Sequence, residues 1–126
     1  MADPLLPGPL WLVGCGNMAG AMLGRWIEEG VDPSHVSVIR PSGRPAGEGV
    51  RVTIEYPEDE VPAIVMLGMK PYQIDEVASL LAPILDEETI LVSILAGVEL
   101  SSLRARFSKP RTIIRAMPNM ASSMAR

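Results

Sequence analysis

Gly14-Cys15-Gly16-Asn17-Met18-Ala19 forms a G-x-G-x-x-A turn directly after the apolar run Leu10–Val13. Such a turn can hold a diphosphate. The first glycine permits a tight bend, the second lets a pyrophosphate approach the backbone, and a small third residue lets helix and strand pack closely. The N–H groups and dipole of the following helix then face the phosphates. The competing reading is a glycine-bearing turn in an α/β domain that binds nothing.

A second set follows the apolar run 35–39, where Arg40, Ser42 and Arg44 occur with no acid before Glu48. An NAD site would place Asp or Glu there, on the ribose 2′-hydroxyl. Guanidinium groups and a hydroxyl suit a 2′-phosphate instead, because Arg presents a planar fork of donors. The pattern favours NADP(H) over NAD(H), against a solvated loop with two incidental arginines.

Other reactive side chains read more plainly. Cys15 would sit at a helix N-terminus, where thiol pKa values tend to fall, but a nucleophile needs a paired base. His35 is the only histidine and falls at the edge of a strand, so Cys15 reads as a small side chain in the turn. No Cys/His cluster offers a metal site, and no Ser-His-acid set is available. Lys70 reads either as a surface lysine at a strand end or as a group that holds a ribose. The acidic runs Glu58-Asp59-Glu60 and Asp86-Glu87-Glu88 read as solvated loop charges. Met18, Met22, Met66 and Met69 read as core fillers.

These residues need elements to hold them. Apolar runs at 10–13, 35–39, 50–54, 63–67, 89–95 and 112–116 read as six strands. Helical stripes run through Met18, Met22, Leu23, Trp26 and Ile27, and through Ile74, Val77, Leu80 and Leu81 before Pro83. A short helix is expected over 100–107. Alternating strands and helices call for a parallel sheet with right-handed crossovers. The expected fold is α/β, a Rossmann-type doubly wound and mostly parallel sheet. Residues 40–49 are too rich in Pro and Gly for a crossover helix, so the second and third strands are joined loosely.

The chain has 126 residues, 48% hydrophobic and 21% charged, which fits one globular domain. No apolar run approaches a membrane span, no secretory leader is visible, and one cysteine fits a reducing cytoplasm. The net charge of −4 argues against nucleic acid as a partner. Arg104, Arg106, Lys109, Arg111, Arg115 and Arg126 nonetheless form an acid-free basic stretch over 100–126. Its simpler reading is a set of charges that meets the acidic remainder of the chain.

Four segments in order resemble pyrroline-5-carboxylate reductase: the glycine turn, Met69-Lys70-Pro71, Ser93-Ile94-Leu95-Ala96-Gly97-Val98 and Arg115-Ala116-Met117-Pro118-Asn119. Each lies at the C-terminal end of a predicted strand, the edge where doubly wound sheets bind ligands. The resemblance implies that Gly14, Cys15, Gly16, Asn17, Met18 and Ala19 wrap the pyrophosphate and that Arg40, Ser42 or Arg44 meets the 2′-phosphate. It puts Gly68, Met69, Lys70 and Pro71 along the cofactor, with Lys70 and Pro71 beside the nicotinamide ribose. Ala96 and Gly97 would line the nicotinamide side. Lys70 and Asn119 would position nicotinamide and substrate. It further implies NADPH-dependent reduction of a cyclic imine, 1-pyrroline-5-carboxylate, to L-proline.

The sequence departs from that family in three places. The Pro/Gly stretch replaces a helix after the second strand, Met120-Ala121 replaces Thr-Pro, and no helical dimerisation domain follows. The expectation is therefore a cofactor domain over 1–126, with 117–126 an exit segment toward a C-terminal domain. Such a chain is expected to bind NADPH but turn over poorly, with a homo-oligomer forming only in a full-length form. Alternatives are another NADP reductase of the same N-terminal type (prephenate dehydrogenase-like or deazaflavin-dependent) or a non-catalytic NADP(H)-binding module.

Overall fold

A computed structural model describes residues 6–116. The elements run β1 (Leu10–Val13), α1 (Asn17–Glu28), β2 (Val36–Ile39), β3 (Arg51–Thr53), β4 (Ile64–Leu67), α2 (Ile74–Leu81), β5 (Ile90–Ser93), α3 (Leu100–Arg106) and β6 (Thr112–Arg115). All six strands pair in parallel, in the order β3-β2-β1-β4-β5-β6. Strand order reverses between β1 and β4. That is the point where a doubly wound sheet opens a crevice at its C-terminal edge.

Burial follows the pleat. On one face Leu10, Leu12, Val36, Val38 and Met66 pack with Ala19 and Leu23 of α1. On the other, Trp11, Val13, Val65, Leu67 and Leu91 pack with Ile74, Ala78 and Leu81 of α2, Leu103 of α3 and Phe107. β1 and β2 are buried along their whole length, as strands covered on both faces must be. Each buried Leu, Val or Ile of these strands contributes about 1.5–3 kcal/mol of apolar burial.

The loose link after β2 has no helix, and the sheet tolerates it. Ser37, Val38 and Ile39 still register against Arg51, Val52 and Thr53, while Ala46 and Val50 pack against the α1-side core. One apolar stripe needs correcting: Leu80 is 59% exposed rather than buried. On α2 it lies off the line through Ile74, Ala78 and Leu81, and it faces the ligand edge instead.

The acidic loops are exposed as expected, except at the half-buried Glu60. Glu60 accepts a 2.6 Å hydrogen bond from Nε1 of the fully buried Trp11, because a buried indole N–H needs an acceptor. Asp59 pairs with Arg51, and Asp86 Oδ1 accepts from the backbone N–H groups of Glu88 and Thr89. Glu87 and Glu88 pair with Arg111.

Candidate functional site

The chain leaves β1 at Gly14, whose φ of +79° is a conformation that residues with a side chain rarely adopt. A Cβ there would stand 2.7 Å from the Cα and N of Met69. The loops after β1 and β4 therefore touch through a residue that has no room for a side chain. Gly68 continues the contact: its added Cβ would lie 3.1 Å from Cβ of Ala19, which explains the small third residue of the turn.

Gly16 is different. It caps α1 with an ordinary extended backbone, and a Cβ on it would meet nothing within 4 Å. Among the described side chains none caps the helix, and no acid sits in its first turn. The helix start thus presents its N–H donors to open space. A glycine with room to spare at such a place fits a diphosphate resting on the backbone, and these residues suit a dinucleotide.

An open cleft of ≈ 410 Å³ runs over this point, and it gathers Gly14, Cys15, Gly16, Met18, Ala19, Arg40, Gly68, Met69, Lys70, Pro71 and Ala96. The sequence reading missed Pro41, Gln73, Ile94 and Leu95 in the same wall. Gln73 holds the Lys70 turn, its Oε1 accepting the Lys70 N–H at 3.1 Å. A second cavity of ≈ 130 Å³ adjoins it, sharing Gly14, Arg40, Pro41, Met69 and Gln73 and lined beyond them by Ile39, Ile54, Tyr56 and Leu80. Tyr56 packs on Trp11, and burial, with Glu76 nearby, pushes its phenol up to about 12.

Ser42, Arg44 and Gly97 do not line the cleft itself. Ser42 and Arg44 are exposed beside it, Ser42 Oγ accepting the Arg44 N–H at 3.2 Å. Gly97 follows β5 with φ +77°. Asn119 and the Asn17 side chain lie outside the described residues.

The cations sort by position. Arg25, Arg51, Arg106 and Arg111 meet carboxylates, while Arg104 and Lys109 reach backbone carbonyls. The basic stretch is thus largely spent inside the fold. Among the described residues no ion pair or hydrogen bond engages the charged groups of Arg44, Lys70 and Arg115, each at the C-terminal edge of the sheet.

The helix-start argument for a low Cys15 pKa fails. Burial raises the thiol above its ordinary value, and the Arg40 charge offsets this only in part. Cys15 should react with iodoacetamide at least about threefold more slowly than glutathione at pH 8, with further protection by a bound dinucleotide. Alkylation as fast as the free thiol would contradict this burial. The described residues hold no metal-ligand cluster and no helix long and apolar enough to cross a membrane.

A parallel sheet in this order, with a glycine turn at its switch point and a cleft over the helix start, defines a dinucleotide-binding domain of the Rossmann class. The chain belongs to the family described as NADP oxidoreductase coenzyme F420-dependent, which matches residues 10–97. It is 34% identical over 116 residues to the pyrroline-5-carboxylate reductase of Pseudomonas aeruginosa, covering 85% of this chain and 41% of that protein. The Escherichia coli reductase is 34% identical over 114 residues, covering 85% and 42%. The solved reductase of Coxiella burnetii superposes with a TM-score of 0.79 at 29% identity, covering 93% of this chain and 46% of the other. A Plasmodium falciparum pyrroline carboxylate reductase with NADP bound superposes at 0.74 and 21% identity, over 90% and 43%. The resemblance carried by the four motifs thus extends over most of this chain. The chain spans less than half the length of these relatives.

Proposed function

We propose that this chain is the NADPH-holding part of a pyrroline-5-carboxylate reductase, which reduces the C=N bond of 1-pyrroline-5-carboxylate to L-proline. The observation that carries the reading is the glycine-lined cleft at the β1/β4 switch point, in a chain so similar to reductases of that name. When bound, NADPH supplies the hydride.

The chain's own work is positioning. Gly14, Cys15, Gly16, Asn17, Met18 and Ala19 offer backbone to the pyrophosphate. Arg40, Ser42 and Arg44 stand on the 2′-phosphate side, and the lack of an acid there, with a basic group at hand, favours NADPH over NADH. The apolar cavity of Ile39, Ile54, Tyr56 and Leu80 suits the adenine ring. Gly68, Met69, Lys70 and Pro71 flank the nicotinamide ribose, Ala96 and Gly97 the ring, and Lys70 and Asn119 orient it toward a small cyclic imine. The remainder of a full-length enzyme, following an exit segment at 117–126, would hold the substrate carboxylate and form the homo-oligomer.

Titration with NADPH and NADH, read by quenching of Trp11 and Trp26, tests this. NADPH should bind saturably and about tenfold or more tighter than NADH, the difference that charge-assisted phosphate bonds supply. Absence of saturable binding by both nucleotides would overturn the reading.

A further inference from the structure

The residues after β2 offer two guanidinium groups, and the structure uses them differently. Arg40 Nε donates to the Arg44 carbonyl at 3.0 Å, and Nη2 donates to the carbonyls of Arg44 at 2.5 Å and Pro45 at 2.6 Å. Nη1 reaches the Cys15 carbonyl, inside the glycine turn, at 3.3 Å. A guanidinium has five N–H donors, so these contacts consume nearly all of them and leave no fork for bidentate phosphate binding. The backbone is fixed as well: Arg40 N–H donates to Thr53 O, and Gly43 N–H, at φ +66°, donates back to Arg40 O. Arg44, held by its N–H on Ser42 Oγ, extends an exposed guanidinium that no group among the described residues engages.

We propose that Arg40 is a positioning residue that fastens the β2–β3 loop to the glycine turn, and that Arg44 is the side chain that distinguishes a 2′-phosphate from a 2′-hydroxyl. The fork of Arg40 faces carbonyls on both sides of the cleft wall, so its loss disturbs the pyrophosphate turn common to both nucleotides. Arg44 has a free fork and adds only where a 2′-phosphate is present. This division of labour rests on the proposed dinucleotide site, and it assigns separate roles where the sequence left the three residues equivalent.

Two measurements on the whole chain test it. In R44Q, NADPH and 2′,5′-ADP should weaken at least about tenfold, while NADH and 5′-ADP stay within about twofold. In R40K, which keeps the charge but loses the fork, NADPH and NADH should weaken by similar factors. Selective loss of NADPH in R40K, or equal loss of both nucleotides in R44Q, would overturn the assignment. Amide hydrogen exchange reads the fastening without any ligand. The N–H groups of Gly43, Arg44 and Val50 should exchange about tenfold faster in R40K or R40A and at the native rate in R44Q. Unchanged exchange in both Arg40 variants would remove the fastening role. Because exchange needs no nucleotide, a native chain that binds neither NADPH nor NADH would sink the proposed function and leave the Arg40 result to stand or fall alone.

Discussion

Gly14→Ala is expected to lower the stability of the fold by about 3 kcal/mol, the sum of a left-handed backbone strain and an overpacked contact. The new methyl would meet backbone atoms of Met69 at 2.7 Å, and backbone cannot step aside as the end of a flexible side chain can. Relief requires β1 and β4 to separate at the centre of the sheet, where they pair from Leu10 and Ile64 to Val13 and Leu67. Urea unfolding should show a lower midpoint with an unchanged slope, and heat unfolding a midpoint lower by about 10 °C. A loss below about 0.5 kcal/mol would mean that the two loops do not meet as closely as described.

Two residues further on, the expected result changes sign. Gly16→Asp should leave the fold as stable or more stable, by up to about 1 kcal/mol. Asp is a strong N-cap, favours the positive end of α1, and finds open space at this position. The same carboxylate would occupy the place proposed for the pyrophosphate, with like charge. NADPH and NADH should both weaken by about 100-fold or more. Nucleotide binding at native strength by a normally folded Gly16→Asp chain would show that the turn does not receive the phosphates. One glycine serves the sheet and the other the proposed ligand, although the motif writes them alike.

Much of this was legible in the chain. Short apolar runs, two of them ending at glycine, marked the buried strands, and the G-x-G-x-x-A turn marked where the central strand ends. Both are local signals. What the sequence hid depends on distance. The acceptor for the Trp11 indole lies 49 positions away on Glu60, with nothing in either segment to pair them. Arg40 was legible as a basic residue near a phosphate site, but not the direction of its fork, which depends on carbonyls at Cys15, Arg44 and Pro45. For Cys15 only the packed structure showed that burial raises the thiol by more than the neighbouring Arg40 charge lowers it. Leu80 missed its stripe by a fraction of a turn.

The link from β2 to β3, without a helix, bears on how such a chain can change over generations. Residues 41–45 are all exposed and belong to neither hydrophobic cluster. Apart from Gly43, whose φ of +66° disfavours any side chain, exposed positions of this kind tolerate substitution within about 0.5 kcal/mol, whereas a core position does not. The proposed preference for NADPH over NADH is thus assigned to a segment whose exposed side chains selection can revise one residue at a time, without passing through poorly folded ancestors. The glycine turn is bound to the sheet and is inherited as a block; in the loop beside it, the exposed side chains can change while the backbone keeps its course.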